Sequence, residues 1–253
     1  MSIQHVNEDD LAASEEQLPP PKPTSAFPAY TYTLLACIAG VFIAQFLTST
    51  DPAFISYDRF SAQYAGFDKQ AFLHDHEYWR ILTGAAIHFG ILHVGMNSYA
   101  LYSFGRLVEL LSNRAHLAIV FLLSAIGGGL LSLVFNPEAT SVGASGGIVG
   151  LLSYLAVYAF RRRKFISAEF RKNLLVNIGF ILLFGLVLFN IVDNFGHIGG
   201  LIVGAVYGLI QIPSDEYVDP RKAGKIVSIL GVAALGVYIM TSIVAILLLI
   251  NAR

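Results

Sequence analysis

The sequence predicts an all-α membrane protein with seven spanning helices. Three observations predict it. Of 253 residues, 55% are hydrophobic and only 13% charged, whereas an ordinary soluble domain is about a quarter charged. The apolar residues gather into runs near the ~20 that a helix needs to cross a bilayer. Lysine and arginine fall almost entirely on alternate links between those runs.

The chain opens on different material. Residues 1–28 hold the acidic stretch EDDLAASEE and the proline-rich QLPPPKP, neither of which can build a core, so a disordered cytoplasmic tail is expected. No basic start followed by an apolar run is present there, which argues against a cleavable signal sequence. Apolar runs then follow at 30–48, 92–111, 116–135, 145–160, 174–190, 197–212 and 226–250. The first six make a core over 29–212, residues 213–225 a cytoplasmic linker, and 226–253 a seventh transmembrane helix with Tyr238, Thr241 and Ser242 as its few polar marks. No catalytic role is expected of that last helix.

Charge orients the spans. With the tail inside, the inner links carry 12 of the 16 Lys and Arg residues, among them RRRK at 161–164. The outer links carry only Arg59, Lys69, Arg80 and Arg253. The N-terminus is therefore expected in the cytoplasm and the C-terminus outside. RRRK reads as an orientation signal, not a binding patch. In the outer loop 49–80, Phe54, Tyr57, Phe60, Tyr64 and Phe67 recur every three or four residues, as on one face of a helix lying along the membrane interface. A net charge of −1 gives no case for nucleic-acid binding, and the single Cys37 can form no internal disulfide.

Polar groups within hydrocarbon are functional candidates by default. His93 and Asn97, four apart, share one helix face. Ser145 stands in GASGG, and His197 in DNFGHIGG. Each of His93, Ser145 and His197 lies 16 residues before an inner-boundary residue, Glu109, Arg161 and Pro213 respectively. At about 1.5 Å per residue that is roughly 24 Å above the inner surface, in a core about 30 Å thick. All three should sit at one level, below the outer surface. Gly200, Gly204 and Gly208 follow His197 on its own face, and Gly146 and Gly150 follow Ser145 at matching intervals. Small-residue faces let helices approach closely in lipid, which would bring Ser145 and His197 within reach.

A serine hydroxyl needs a neighbouring base to become a useful nucleophile, and a histidine withdrawn from water stays neutral and can serve as that base. Helix-start amides, with His93 and Asn97, would supply donors to a developing oxyanion. Each feature also has a plain structural explanation. GASG packs helices, a membrane histidine can relay protons or bridge helices, and His93 with Asn97 can glue two spans. Their coincidence at one depth favours a catalytic site. Asp193, four before His197, invites a triad, but an acid in a short outer loop more often faces water. HFGILH, with His88 and His93, lacks the glutamate and spacing of a helical zinc-protease motif, so no metal or other cofactor is expected. His74 and His76 read as solvated. An ion or solute carrier would show inverted repeats, and none is visible.

These motifs together resemble the rhomboid family of intramembrane serine proteases over roughly 29–212. HVGMN resembles its His-xxx-Asn, GASG its Gly-x-Ser-Gly, HIGGLIVG its His-xx-Gly-xxx-Gly, and Trp79-Arg80 the Trp-Arg pair of its first outer loop. The resemblance implies a rhomboid-like six-helix transmembrane core carrying one additional helix. It implies Ser145 as nucleophile and His197 as general base in an acid-free dyad. It also implies an oxyanion hole of His93, Asn97 and the Ser145 backbone N–H, with Gly143 and Gly146 shaping the active-site turn. The implied partners are the lipid bilayer and single-pass transmembrane protein substrates, cut in or near their spans after lateral entry. Two positions depart from the pattern: Val149, where the family often has an aromatic ring, and Gly196, where alanine is common. The alternative function is a non-catalytic, client-binding relative, though such relatives usually lose the serine or the histidine. The short tail without a targeting sequence fits a bacterial cytoplasmic membrane.

Overall fold

A computed structural model describes residues 27–49, 58–189 and 191–253. The expected tail lies almost wholly outside the described residues, as do Phe54 and Tyr57. The described residues form ten helices, with one isolated bridge between Phe67 and Ser141. They are α1 (Ala29–Thr48), α2 (Arg59–Ala65), α3 (Lys69–His74), α4 (Arg80–Thr83), α5 (Ile91–Leu111), α6 (Arg114–Phe135), α7 (Ser145–Arg161), α8 (Ala168–Val187), α9 (Asn194–Gln211) and α10 (Lys225–Asn251).

The seven long helices, of 17 to 27 residues, occupy the seven apolar segments. Four of them (α1, α6, α8 and α10) are long and apolar enough to cross a membrane, and α7 is a shorter apolar helix. The helices α5 and α9 fall outside that group.

Starts are set by side chains that accept the orphan N–H groups of a first turn. Asn113 caps α6 by accepting from Ala115, and Ser167 caps α8 by accepting from Phe170. The α8 cap, with Glu169 in its first turn, explains why that helix begins at 168 and not at 174, where the apolar run begins. The start of α1 is capped across the fold: Glu109 of α5 accepts from the Thr31 N–H and hydroxyl, both at 2.7 Å.

The short helix α7 occupies the middle of the bundle. Residues on all its sides are buried, and α5, α6, α8 and α9 pack around it. Seventeen residues span about 26 Å, so a helix reaching one surface stops short of the other in a core about 30 Å thick. Ser145, its first residue, is half-buried. By contrast α8 buries only Leu174 and Gly185. The last helix, α10, packs on α1 and α6.

Among the described residues of the outer loop, the aromatics do not share one helical face. Phe60 and Tyr64 share α2 with rings 4.9 Å apart, but the helix ends at Ala65 and Phe67 turns inward to 2% exposure. Gly66 and the capping Asp68 break the periodicity, and Phe67 pairs its backbone with Ser141 instead. RRRK is likewise more than a signal. Arg162 is buried, donating to the carbonyls of Pro213 and Val218 at 2.9 and 3.0 Å, and Arg161 donates to that of Ile212. These bonds dock the segment that leads into α10.

Candidate active site

Residues 142–145 make a sharp turn into α7. Gly143 has φ +117°, a conformation that L side chains rarely adopt. A Cβ there would also lie 2.7 Å from His93 Cε1 and 2.8 Å from its Nε2. Glycine is needed twice over: for the backbone angle, and to admit the His93 ring against the turn. The turn is pinned by the Gly143 N–H, which donates to the Gly84 carbonyl at 2.8 Å.

From this turn the Ser145 hydroxyl meets His197 of α9, with Oγ and Nε2 2.9 Å apart. The other ring nitrogen of His197, Nδ1, has no hydrogen-bond partner among the described residues. The Asp193 carboxylate is engaged elsewhere. One oxygen accepts from the Gly196 N–H at 2.9 Å, and the other accepts from the Ser141 hydroxyl. It caps α9 instead of orienting the imidazole. Gly196 leaves room for this cap, since a Cβ there would lie 2.9 Å from the Asp193 carboxylate.

Glycines set the spacing between Ser145 and His197. A Cβ on Gly200 would lie 2.2 Å from the Gly146 carbonyl oxygen, and one on Gly204 2.1 Å from that of Gly150. The backbones of α7 and α9 therefore touch along a seam starting one turn from the pair. A third helix enters the same seam. Gly128 of α6 stands against the Gly196 carbonyl, where a Cβ would be 2.4 Å away. Unlike the first two glycine faces, this one has no helical spacing in the sequence: Gly127-Gly128-Gly129 is a triplet in an otherwise bulky span.

His93 and Asn97 lie on α5, with the His93 ring against the turn. Nδ1 of His93 accepts a long bond, 3.4 Å, from the Phe89 N–H. In a neutral ring that leaves the proton on Nε2, the edge next to Gly143. Asn97 is buried and donates from Nδ2 to the His93 carbonyl at 3.0 Å, so half of its donor capacity serves its own helix. His88 is fully buried, its ring 5.1 Å from that of His93. Its backbone is clasped by Gln45 of α1, which accepts from the His88 N–H at 3.1 Å and donates to its carbonyl at 2.8 Å. Nothing in the local sequence around Gln45 signals that contact.

Arg80 braces the outer loop, donating to the carbonyls of Gln63 and Gly66 and pairing with Glu77. Its neighbour Trp79 is 43% exposed and lines an apolar groove with Leu82, Val237 and Met240. His74 and His76 are exposed. Beside Ser145 a small cavity of about 40 Å³ is lined by Gly143, Gly146, Ser141, Asp193, Phe67 and Ile81 among others. Lys69, almost wholly buried, reaches this region from α3, donating to the Ser141 hydroxyl at 2.8 Å and the Ala139 carbonyl at 2.6 Å. Burial lowers its pKa, opposed by the nearby charge of Asp193. Chemically the arrangement offers a hydroxyl bonded to an imidazole, beside a helix start and a second imidazole edge, in a recess.

The rhomboid domain profile matches residues 75–214, which include His93, Asn97, Gly143, Ser145, Asp193 and His197. Rhomboid protease GluP of Bacillus subtilis (strain 168) is 41% identical over 128 residues, covering 51% of this chain and 25% of that protein. RHOMBOID-like protein 2 of Arabidopsis thaliana is 32% identical over 153 residues, 57% of this chain and 46% of that protein. Inactive rhomboid protein 1 of Papio anubis is 31% identical over 139 residues, 54% of this chain and 16% of that protein. The chain thus spans less than half the length of each of these relatives.

Proposed function

This chain belongs to the rhomboid family of integral membrane proteins, and on that premise we propose that it is an intramembrane serine endopeptidase. The observation that carries the proposal is the 2.9 Å contact between Ser145 Oγ and His197 Nε2 at the start of α7. Its substrates are single-pass membrane proteins, cut in or near their transmembrane segments.

His197 takes the Ser145 proton through Nε2 as Oγ attacks the scissile carbonyl carbon. The oxygen of the tetrahedral intermediate becomes an oxyanion, held by the Ser145 backbone N–H at the helix start and by the His93 Nε2–H edge. Asn97 contributes the amide hydrogen not bonded to the His93 carbonyl. His197 then hands its proton to the departing amine, the C–N bond breaks, and an ester on Ser145 remains. Water, deprotonated by the same imidazole, hydrolyses that ester and restores the hydroxyl. An acid partner for His197 Nδ1 is not part of the scheme, and the two bonds made by Asp193 support leaving it out. The six-helix core over 29–212 holds the machinery. The chain lies with its N-terminus in the cytoplasm and its site open to the outer side, in a bacterial cytoplasmic membrane.

The alternative is a client-binding relative without activity, and one relative is named inactive. A paired hydroxyl and imidazole favour the protease. Purified chain in detergent or liposomes, given a reporter transmembrane substrate, is expected to cut it, with Ser145→Ala and His197→Ala inert while helicity persists. A fluorophosphonate should label wild type and spare Ser145→Ala. Cleavage by Ser145→Ala would remove the nucleophile assignment, and an inert, unlabelled wild type would favour the client-binding reading.

A further inference from the structure

The last helix, α10, lies beyond the residues matched by the rhomboid profile. Of its few polar side chains, Tyr238 goes deepest. The residue is 1% exposed, its ring stands edge-on to Phe121 of α6 with centroids 5.0 Å apart, and its hydroxyl donates to the Ala85 carbonyl at 3.2 Å. The neighbouring residue in the chain, Gly84, accepts the Gly143 N–H at 2.8 Å. Gly84 is also seated tightly, for a Cβ there would lie 2.6 Å from the Phe67 nitrogen and 3.0 Å from the Ser141 carbonyl oxygen. The two-residue segment 84–85 is therefore held on one side by α10, and on the other it holds the turn that delivers Ser145.

We infer that Tyr238 is a positioning residue: its hydroxyl fixes segment 84–85, and so the Gly143 turn and the Ser145 backbone N–H, in the geometry the reaction uses. The inference rests on the protease reading above but concerns a helix that the reading leaves idle. The bond is between a neutral donor and a neutral acceptor, and both are shielded from water, where an unmet hydroxyl or carbonyl is costly. The carbonyl of residue 85 thus has one favoured place. Residue 84 follows it, and its carbonyl is the acceptor for the Gly143 N–H, while the flanking Ser141 is tied separately to Phe67. A purely space-filling Tyr238 would owe everything to its ring and nothing to its oxygen, and this difference can be measured.

Tyr238→Phe keeps the ring against Phe121 and deletes the oxygen, while Tyr238→Leu deletes both. In the full chain, Tyr238→Phe is expected to lower kcat roughly three- to tenfold, the worth of one such bond, with KM for the reporter substrate unchanged. Deuterium uptake at residues 142–144 should rise, while uptake along the glycine seam at 198–206 stays at the wild-type level. Tyr238→Leu should add a fall in thermal stability that Tyr238→Phe lacks. Wild-type kcat together with wild-type uptake at 142–144 in Tyr238→Phe would overturn the inference. Uptake is read without any substrate, so it decides the linkage even if the wild-type chain cuts nothing, a result that would count against the protease reading alone.

Discussion

Gly200 lies directly against Gly146: a methyl on the first would sit 2.2 Å from the carbonyl oxygen of the second. No side-chain adjustment relieves such a contact, because the obstacle is backbone. Helices α7 and α9 would have to separate, and with them the Ser145 hydroxyl and the His197 ring. Gly200→Ala is expected to destabilise by about 1–3 kcal/mol, as overpacking does, and to lose most activity. Gly236 on α10 has nothing within 4 Å of its missing Cβ. Gly236→Ala should therefore leave thermal unfolding and turnover as they are. Equal tolerance at the two positions would contradict the tight seam.

Asp193 supplies the second prediction, because capping and triad roles diverge on one substitution. Asparagine is as good an N-cap as aspartate, whereas alanine costs about 1 kcal/mol of helix stability. A triad acid behaves differently: replacing it with asparagine in a serine protease of known mechanism drops kcat by about 10⁴. With the carboxylate on Gly196 and Ser141, Asp193→Asn is expected to keep kcat within about threefold of wild type. Asp193→Ala should lower both melting temperature and rate. A thousandfold loss in Asp193→Asn would make the carboxylate a partner of His197 after all.

How much of this was legible beforehand follows from what leaves a periodic trace. The depth of Ser145 and His197 and the small faces behind them are helical-period properties, so their convergence could be reasoned from spacing. The start of α8 could have been read from Ser167 and Glu169, but hydropathy alone pointed six residues too late. The contacts of Gln45 with residue 88, Ser141 with Asp193, and Tyr238 with Ala85 join positions 43, 52 and 153 apart. Each involves a backbone group or a lone side chain, and no local pattern encodes the partner. The glycine triplet of α6 was legible as small but not as directed, since three consecutive glycines point to every face of a helix.

Gly143 gives the third prediction. Its φ of +117° and the His93 ring 2.7 Å from a would-be Cβ act together. Gly143→Ala must either unwind the turn or push His93 away, with backbone strain alone worth about 1–3 kcal/mol. Either response moves a donor of the proposed oxyanion hole, so kcat should fall by about 10² or more. Fluorophosphonate labelling of Ser145 should slow in parallel. Normal labelling alongside slow cleavage would place the defect in substrate entry instead of the turn.

His93 and Asn97 are expected to differ in weight, although they share a face. The Nε2 edge of His93 borders the turn, so its proton can reach an oxygen bound beside Ser145. The amide of Asn97 already donates to the His93 carbonyl and holds that residue in place. Removing one oxyanion donor typically costs about 10²–10³ in kcat, and His93→Ala should fall in that range with KM little changed. Asn97→Ala should lose less, since one of its two amide hydrogens is committed to the helix. Part of its loss should be recovered by Asn97→Gln only if direct donation matters more than bracing. A double variant settles how they act. If both donate to one oxyanion independently, the losses multiply; if Asn97 works by holding His93, the pair should be no slower than His93→Ala alone. The amide hydrogen of Asn97 not bonded to the His93 carbonyl makes the first outcome the expected one.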